Sequence, residues 1–340
     1  MKTRGSAVLW VLWLTITVAH ADALQPESQV RFEGDIAADQ DISAIEQMGE
    51  WLIIGADEGV GSDDTKNVIQ ILSPLGQDRY AVSETIELFE GDDEESKEMD
   101  IEGLAVDDHT VYVTGSHSAK RVRVDPDKKL SRNRKQFRAS KIAEERNRAW
   151  IYRLVLDNEA QPKDKELISL RKRLHEHPVL KPFSAIPSKE NGIDIEGLAV
   201  ADGWLYLGFR GPVLRDNYVP VLKVDFDDPE NHELLYVELG GYGIRAMASV
   251  RDGFLIVAGP VGDGPGGYPV YYWDGHDVIP GRERDAPIGQ VIKLADLPAP
   301  AEGKAEGISV LQETGTHYEC IVVYDGVTKG SAQRLPIPKL

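Results

Sequence analysis

Two stretches of this chain repeat each other almost residue for residue. DIEGLAVDDHTVYVTGSHS at 100–118 and DIEGLAVADGWLYLGFRG at 194–211 open on the same seven residues, so the chain builds one supersecondary unit more than once. Weaker copies stand at 41–59 (DISAIEQMGEWLIIGADEG), 243–262 (GIRAMASVRDGFLIVAGPVG) and 304–326 (KAEGISVLQETGTHYECIVVYDG). Each copy reads as a short apolar strand, a polar turn, and a second strand of β-branched and aromatic residues ending at Gly or Asp. Between the copies run further strand-like segments: NVIQILS and YAVSETIELF, AWIYRLVLD and ELISLRKRL, VPVLKVDF and HELLYVEL, YPVYYW and QVIKLADL. Every unit therefore offers about four strands, the content of one propeller blade.

The expected fold is all-β, a single β-propeller over residues 22–340. Five blades follow from five copies; six blades, or two ordinary β-sandwiches, are the alternatives. After the fifth copy the chain is one strand short of a blade, and VRFEG, residues 30–34, could supply that strand and close the ring. The copies start roughly 50 to 60 residues apart, as blades do, except between Asp100 and Asp194, where an insertion of about 35 residues is implied. It is assigned to 119–148, which holds 12 Lys or Arg against four Asp or Glu. Its second half lacks Gly and Pro, and so predicts a surface helix. That helix either folds back on an acidic body or forms a basic flap over the channel mouth that helps to capture an anion.

Composition narrows the function. With 57 acidic against 38 basic residues and a formal charge of −19, the surface as a whole is unsuited to nucleic acid or anionic lipid. The single cysteine, Cys320, excludes an intramolecular disulfide and a cysteine-based zinc site. Residues 1–21 read as a secretory signal peptide, with Lys2 and Arg4, an apolar core from Ala7 to Val18, and Ala19-His20-Ala21 as the cleavage site. The apolar core is too short to span a bilayer. The expectation is a periplasmic or secreted protein, monomeric and without membrane insertion after cleavage.

The innermost strand of a propeller blade lines the central channel, and here it begins with D-I-E-G-L-A. Glycine after glutamate suits close approach of backbones near the axis. Aligned copies put Ser43, Glu102, Glu196, Arg245 and Glu306 at the glutamate position, and Asp41, Asp100, Asp194, Gly243 and Lys304 two residues before it. Three converging glutamates repel unless compensated. A hard divalent cation such as calcium, held by Glu102, Glu196 and Glu306, is one compensation; Arg245, whose planar guanidinium can bridge two carboxylates, is the other. The second strands end near the same face, at Asp57 and Glu58, Ser116 and His117, Arg210, Asp263 and Asp325. Arg210 and Arg215 share the loop GFRGPVLRDNYVP, where they could meet a phosphate or carboxylate or simply pair with surface charges. His117 is a candidate general base or metal ligand. No GxSxG, HExxH, P-loop or CxxC motif is present.

The paired DIEGLA elements, GSHS (115–118), ERNRAWIYRL (145–154), GFRGPVLR (208–215) and IRAMA (244–248) together resemble domain of unknown function family 3616, exported bacterial proteins of unassigned activity. The resemblance covers roughly residues 30 to 335. The D-x-E-G-L-A element by itself also resembles that of esterase-like phytase propellers. That kinship would imply calcium-dependent phosphoester hydrolysis, with Glu102, Glu196 and Glu306 at the metal-binding positions. Ser43 and Arg245 interrupt the acidic ring and depart from such a pattern. Two functions follow as expectations. One is a propeller binding a small anionic or metal-bridged ligand at the channel mouth, with His117, Arg210, Arg215 and Arg245 as catalytic candidates of a metal-dependent phosphoesterase. The other is a non-catalytic scaffold for a protein or polysaccharide partner.

Overall fold

Five four-stranded antiparallel units stand around one axis. The computed structural model describes residues 24–61, 65–90, 98–121, 124–137, 142–282, 286–298 and 303–340. The expected signal peptide, 1–21, lies outside them. From the channel outward, blade one consists of Ile42–Met48, Trp51–Ala56, Lys66–Gly76 and Arg79–Glu90. Blade two is Ile101–Asp107, Thr110–Gly115, Trp150–Leu156 and Pro162–Ser169. Blade three is Asp194–Ala201, Trp204–Gly211, Tyr218–Val224 and His232–Glu238. Blade four is Gly243–Val250, Gly253–Gly259, Pro269–Trp273 and Val291–Asp296. Blade five is Lys304–Glu313, His317–Asp325 and Gln333–Pro338, completed by Ser28–Gln29. Each innermost strand packs against the next, and that of blade five against that of blade one, so the ring is a closed five.

The closing strand differs from the expected one by a few residues. Ser28–Gln29 pairs antiparallel with Gln333–Arg334 on blade five, while Arg31–Glu33 turns to run parallel to Arg79–Ala81 on the outer edge of blade one. Val30, between the two, donates its amide to the Ala332 carbonyl at 2.8 Å and is buried. A single extended segment thus covers the edges of both blades where the ring closes, which satisfies strand edges that would otherwise be open.

The extra length between copies two and three is also divided differently. Part of it is the insertion after Gly115, with a short two-stranded pairing of Ala119–Lys120 and Ala143–Glu144 at its base. Its helix, α1 (Leu130–Phe137), falls in the middle of 119–148 rather than in the second half; residues 138–141 lie outside the described residues. The rest follows blade two as a short helix at Arg171–Glu176 and 3-10 turns at Lys181–Phe183 and Ser188–Glu190. The segment ELISLRKRL therefore changes from strand to helix at Leu170 instead of continuing as a strand.

The core lies between adjacent blades, where alternate residues of facing sheets interdigitate. Leu198, Leu207, Val221, Ile244, Met247, Ile256 and Trp273, all buried, form part of the largest cluster, which joins blades two, three and four. Crowding at the axis explains the glycine in the repeat: a Cβ on Gly103 would stand 2.7 Å from the Cβ of Leu198, and one on Gly197 would stand 2.7 Å from the Cγ of Met247. Cys320 is free and buried within blade five. Among the described residues no helix is long and apolar enough to cross a membrane.

Candidate functional site

In all five blades the pairing register between the two inner strands skips one position, and that position is the repeat's glutamate column. The irregularities fall between Ile42 and Ala44, Ile101 and Gly103, Ile195 and Gly197, Ile244 and Ala246, and Ala305 and Gly307. A bulge re-aims the side chain that it leaves unpaired, so Ser43, Glu102, Glu196, Arg245 and Glu306 form one structurally equivalent ring. All five are buried.

The ring is electrically uneven. Arg245 pairs with Glu196 at 3.0 Å and with Glu306, its Nη groups bridging the two carboxylates. Arg210, at the end of the second strand of blade three, holds Glu196 at 2.5 Å and pairs with Asp194. Burial alone would lower the Arg210 pKa, but Asp194 and Glu196 outweigh it and raise it. Both guanidiniums are thus engaged by carboxylates. Ser43 fills its place by donating a 2.5 Å hydrogen bond to the Ile101 carbonyl of blade two.

Glu102 has no such partner. It is 7 % exposed, and its Oε2 is buried without a hydrogen bond among the described residues. Burial, followed by the charges of Glu196, Asp100 and Asp57, pushes its carboxyl well above the usual range. Asp57 is in the same position: its Oδ1 is buried and unpartnered, and burial together with Asp325, Asp100, Glu58 and Asp41 raises its pKa strongly. Two triads of carboxylate oxygens, Asp41–Asp57–Asp325 and Asp57–Asp100–Glu102, each lie within 4.8 Å of one another, and Asp57 belongs to both. The nearby cations are committed at the edges, Lys304 to Asp325 at 2.9 Å and Arg148 to Asp100. An all-oxygen donor set with surplus negative charge fits a hard divalent cation.

Of the three glutamates proposed as metal ligands, only Glu102 stands among these close-set oxygens; Glu196 and Glu306 are the pair bridged by Arg245. Sequence alignment placed Asp41, Asp57, Asp100 and Asp325 on the same face without singling them out. It missed Arg148 entirely as a buried group, counting it with the basic insertion. Arg148 is 7 % exposed and clamped by Glu145 at 2.9 Å, Glu98 at 2.5 Å, and Asp100. Its signal was positional: Arg148 lies just ahead of the buried strand AWIYRLVLD, three residues after Glu145.

His117 and Arg215 lie apart from this cluster. His117 has a left-handed backbone (φ 55) and engages the Gly115 carbonyl through Nδ1 at 2.9 Å. Its Nε2 is buried and unpartnered, and it borders a separate small cavity of about 20 Å³ with Ser118, Glu145, Arg171 and His175. Burial holds its pKa down at about 4. Arg215 is exposed on its loop and does not line the channel mouth.

Over the acidic floor opens a cleft of about 1220 Å³. Its walls include Asp41, Asp57, Asp100, Glu102, Glu196, Arg210 and Asp325 from the blades, with Lys120, Arg121, Val124, Gln136 and Phe137 from the insertion. Residues of the insertion thus line the same cleft as the acidic floor.

The family model for a protein of unknown function (DUF3616) matches residues 41–335. No curated protein matches. Similar solved structures include an exo-β-1,3-galactanase from Clostridium thermocellum, with TM-score 0.47 and 9 % identity over 92 % of this chain and 62 % of that one. A galactanase from Phanerochaete chrysosporium, crystallised with β-1,3-galactotriose, has TM-score 0.45 and 8 % identity over 92 % and 63 %. The WD40 propeller domain of Doa1 has TM-score 0.34 and 8 % identity over 92 % and 72 %. This chain spans less than two thirds of the length of the two galactanases.

Proposed function

The chain belongs to the DUF3616 family of proteins of unknown function, and from that premise we propose that it binds a hard divalent cation, calcium foremost, at the channel mouth, and through it a small anionic ligand. Asp57 would stand at the centre of the donor set, with Asp41, Asp100, Glu102 and Asp325 around it. The observation that carries this reading is Glu102, a nearly inaccessible carboxylate with an unpartnered oxygen beside Asp57 and Asp100. Such a group costs several kcal/mol as an uncompensated charge; the Arg210 charge reaches Glu102, but its ion pairs are with Asp194 and Glu196, and those of Arg245 are with Glu196 and Glu306. The bound cation would supply a Lewis acid for a phosphoryl or carboxyl oxygen. Asp57 and Glu102 would hold that charge on the axis, Lys304 and Arg148 would keep Asp325 and Asp100 oriented, and the cleft walls would position the ligand. Because Arg210 and Arg245 are spent on carboxylates and His117 faces another cavity, phosphoester hydrolysis would depend on the cation. Export through residues 1–21 is part of the same proposal.

Calorimetric titration of the mature protein with calcium tests it, alongside melting curves in chelator and in calcium. Binding should raise the melting temperature, since the ion binds only the folded state, and Asp57→Asn should abolish both signals. No heat and no melting shift would overturn the reading. A phosphatase screen with and without calcium then separates hydrolysis from binding alone.

A further inference from the structure

Asp57 lies where three blades meet at the channel mouth. It follows Trp51–Ala56, the second strand of blade one, and has carboxylates from an adjoining blade on either side. Towards blade five stands Asp325, at the end of His317–Asp325, with Asp41 just ahead of Ile42–Met48. Towards blade two stand Asp100, just ahead of Ile101–Asp107, and Glu102 in its bulge. The backbone holds these strand ends together. The Asp57 amide donates to the Asp41 carbonyl at 3.1 Å, and the Gly326 amide donates to the Gln40 carbonyl at 2.8 Å across the junction of blades five and one.

The five carboxylates do not form one cation shell. Oxygens that bind a single calcium ion lie within about 5 Å of one another, twice the ion–oxygen distance. Asp41, Asp57 and Asp325 meet that limit as one triad and Asp57, Asp100 and Glu102 as another, each within 4.8 Å, but the five together are not one such set. A single ion in either triad therefore leaves the other short of positive charge. With the ion beside Glu102, Asp41 and Asp325 retain only Lys304, and burial with the charges of Asp325, Glu58 and Asp39 raises the Asp41 pKa in spite of that lysine. With the ion beside Asp325, the inaccessible Oε2 of Glu102 stays without a partner. Asp57, common to both triads, has an inaccessible Oδ1 that accepts no hydrogen bond among the described residues. Twelve carboxylates line the cleft above against six Lys and Arg, a field that draws in cations.

We propose that the channel mouth holds two divalent cations that share Asp57, one in Asp41–Asp57–Asp325 across the junction of blades five and one, the other in Asp57–Asp100–Glu102 across the junction of blades one and two. The inference rests on the cation reading above and adds a second ion to it. Two divalent ions bring the five carboxylates to within one charge of neutral, and the shared carboxylate offsets the repulsion between the ions. The first ion spans the seam of the ring, because blade five is the one that the N-terminal strand completes. It would act there as a clip on ring closure.

The calcium bound per chain, measured by equilibrium dialysis and elemental analysis of the mature protein, tests this without any variant. Two ions are expected. One ion overturns this inference and leaves the single-cation reading standing; none overturns both. Glu102→Gln and Asp325→Asn should each keep one ion and Asp57→Asn neither, with near-ultraviolet circular dichroism in chelator establishing that each variant is folded. Two ions retained by Asp57→Asn, or a folded Glu102→Gln or Asp325→Asn that still binds two, would overturn the sharing of Asp57. Hydrogen exchange at the Gly326 amide locates the ion at the seam. It should slow about tenfold or more in calcium well above its Kd, in the parent and in Glu102→Gln but not in Asp325→Asn. A Gly326 amide that exchanges alike in calcium and in chelator in the parent would remove the ion from that junction.

Discussion

The two halves of the channel mouth are built from the same repeat and solve opposite electrostatic problems. On the side of blades three to five, Arg210 and Arg245 thread between Asp194, Glu196 and Glu306, so that buried carboxylates alternate with guanidiniums. On the side of blades one and two, with Asp325 from blade five, Asp41, Asp57, Asp100 and Glu102 face one another, with ion-paired cations only at the margin and Arg210 acting on Glu102 by its charge alone. The first half is closed by its own side chains and can hold the blades together. The second keeps its donors available, as a binding site must. A single ring can thus serve both stability and binding because the bulges place equivalent positions identically while leaving the residue type free.

The largest effect that would break this comparison is expected from the closed half. Arg245→Met removes the bridge and leaves Glu196 and Glu306 with one fewer cation in a buried site, which should cost about 3–5 kcal/mol of stability. Thermal or urea unfolding measures it, and a variant as stable as the parent would mean that the guanidinium bridge does not hold the ring. In the open half the sign reverses. Asp57→Asn relieves repulsion, so in chelator the variant should be more stable than the parent by about 1 kcal/mol, while losing any stabilisation by calcium. A destabilised variant would show that Asp57 is already compensated within the fold.

A half-buried carboxylate outside the ring provides the reference for both halves. Glu46, on the innermost strand of blade one, accepts a 2.8 Å hydrogen bond from Ser309 of blade five, and burial pushes its carboxyl up from 4.5 to about 7. Its folded-state pKa is above its unfolded value, so its contribution is fully present below about 4.5 and is lost as pH rises through about 7. Glu46→Gln should therefore flatten the fall in stability across that window, equally in chelator and in calcium. If calcium changes the Glu46 contribution, the two regions are coupled across blade one. The smallest effect is expected at Arg215, where Arg215→Ala should alter stability by less than about 0.5 kcal/mol and leave calcium binding unchanged. A clear loss of either would bring its loop into the site after all.

Much of the fold was legible because the repeat encodes it locally. The strand pairs, the count of five blades and the crowded glycines all follow from the D-x-E-G-L-A element and its weaker copies. The closing strand was placed close to its position, at 30–34, but the chain pairs on blade five at Ser28–Gln29 and on blade one at Arg31–Glu33. Which of two edges an extended segment joins depends on where those edges lie in space. The α1 helix was expected later in the insertion, because helix propensity there is spread over a long basic run and the tie between Asn133 and Asp125 cannot be read from composition.

What the sequence determined by itself was the ring: five equivalent positions and their residue types, Ser43, Glu102, Glu196, Arg245 and Glu306. What only the tertiary structure decided was how their charges are settled. The deciding partners come from outside the ring column, Arg210 and Asp57 from the ends of second strands, Arg148 from the base of an insertion, and Asp325 from the far end of the chain. A Coulomb interaction in a buried site changes from dominant to minor over a few ångströms. Spacing along the chain carries no distance of that kind, so the same element could be recognised five times without revealing which copies would be neutralised and which would be left to bind.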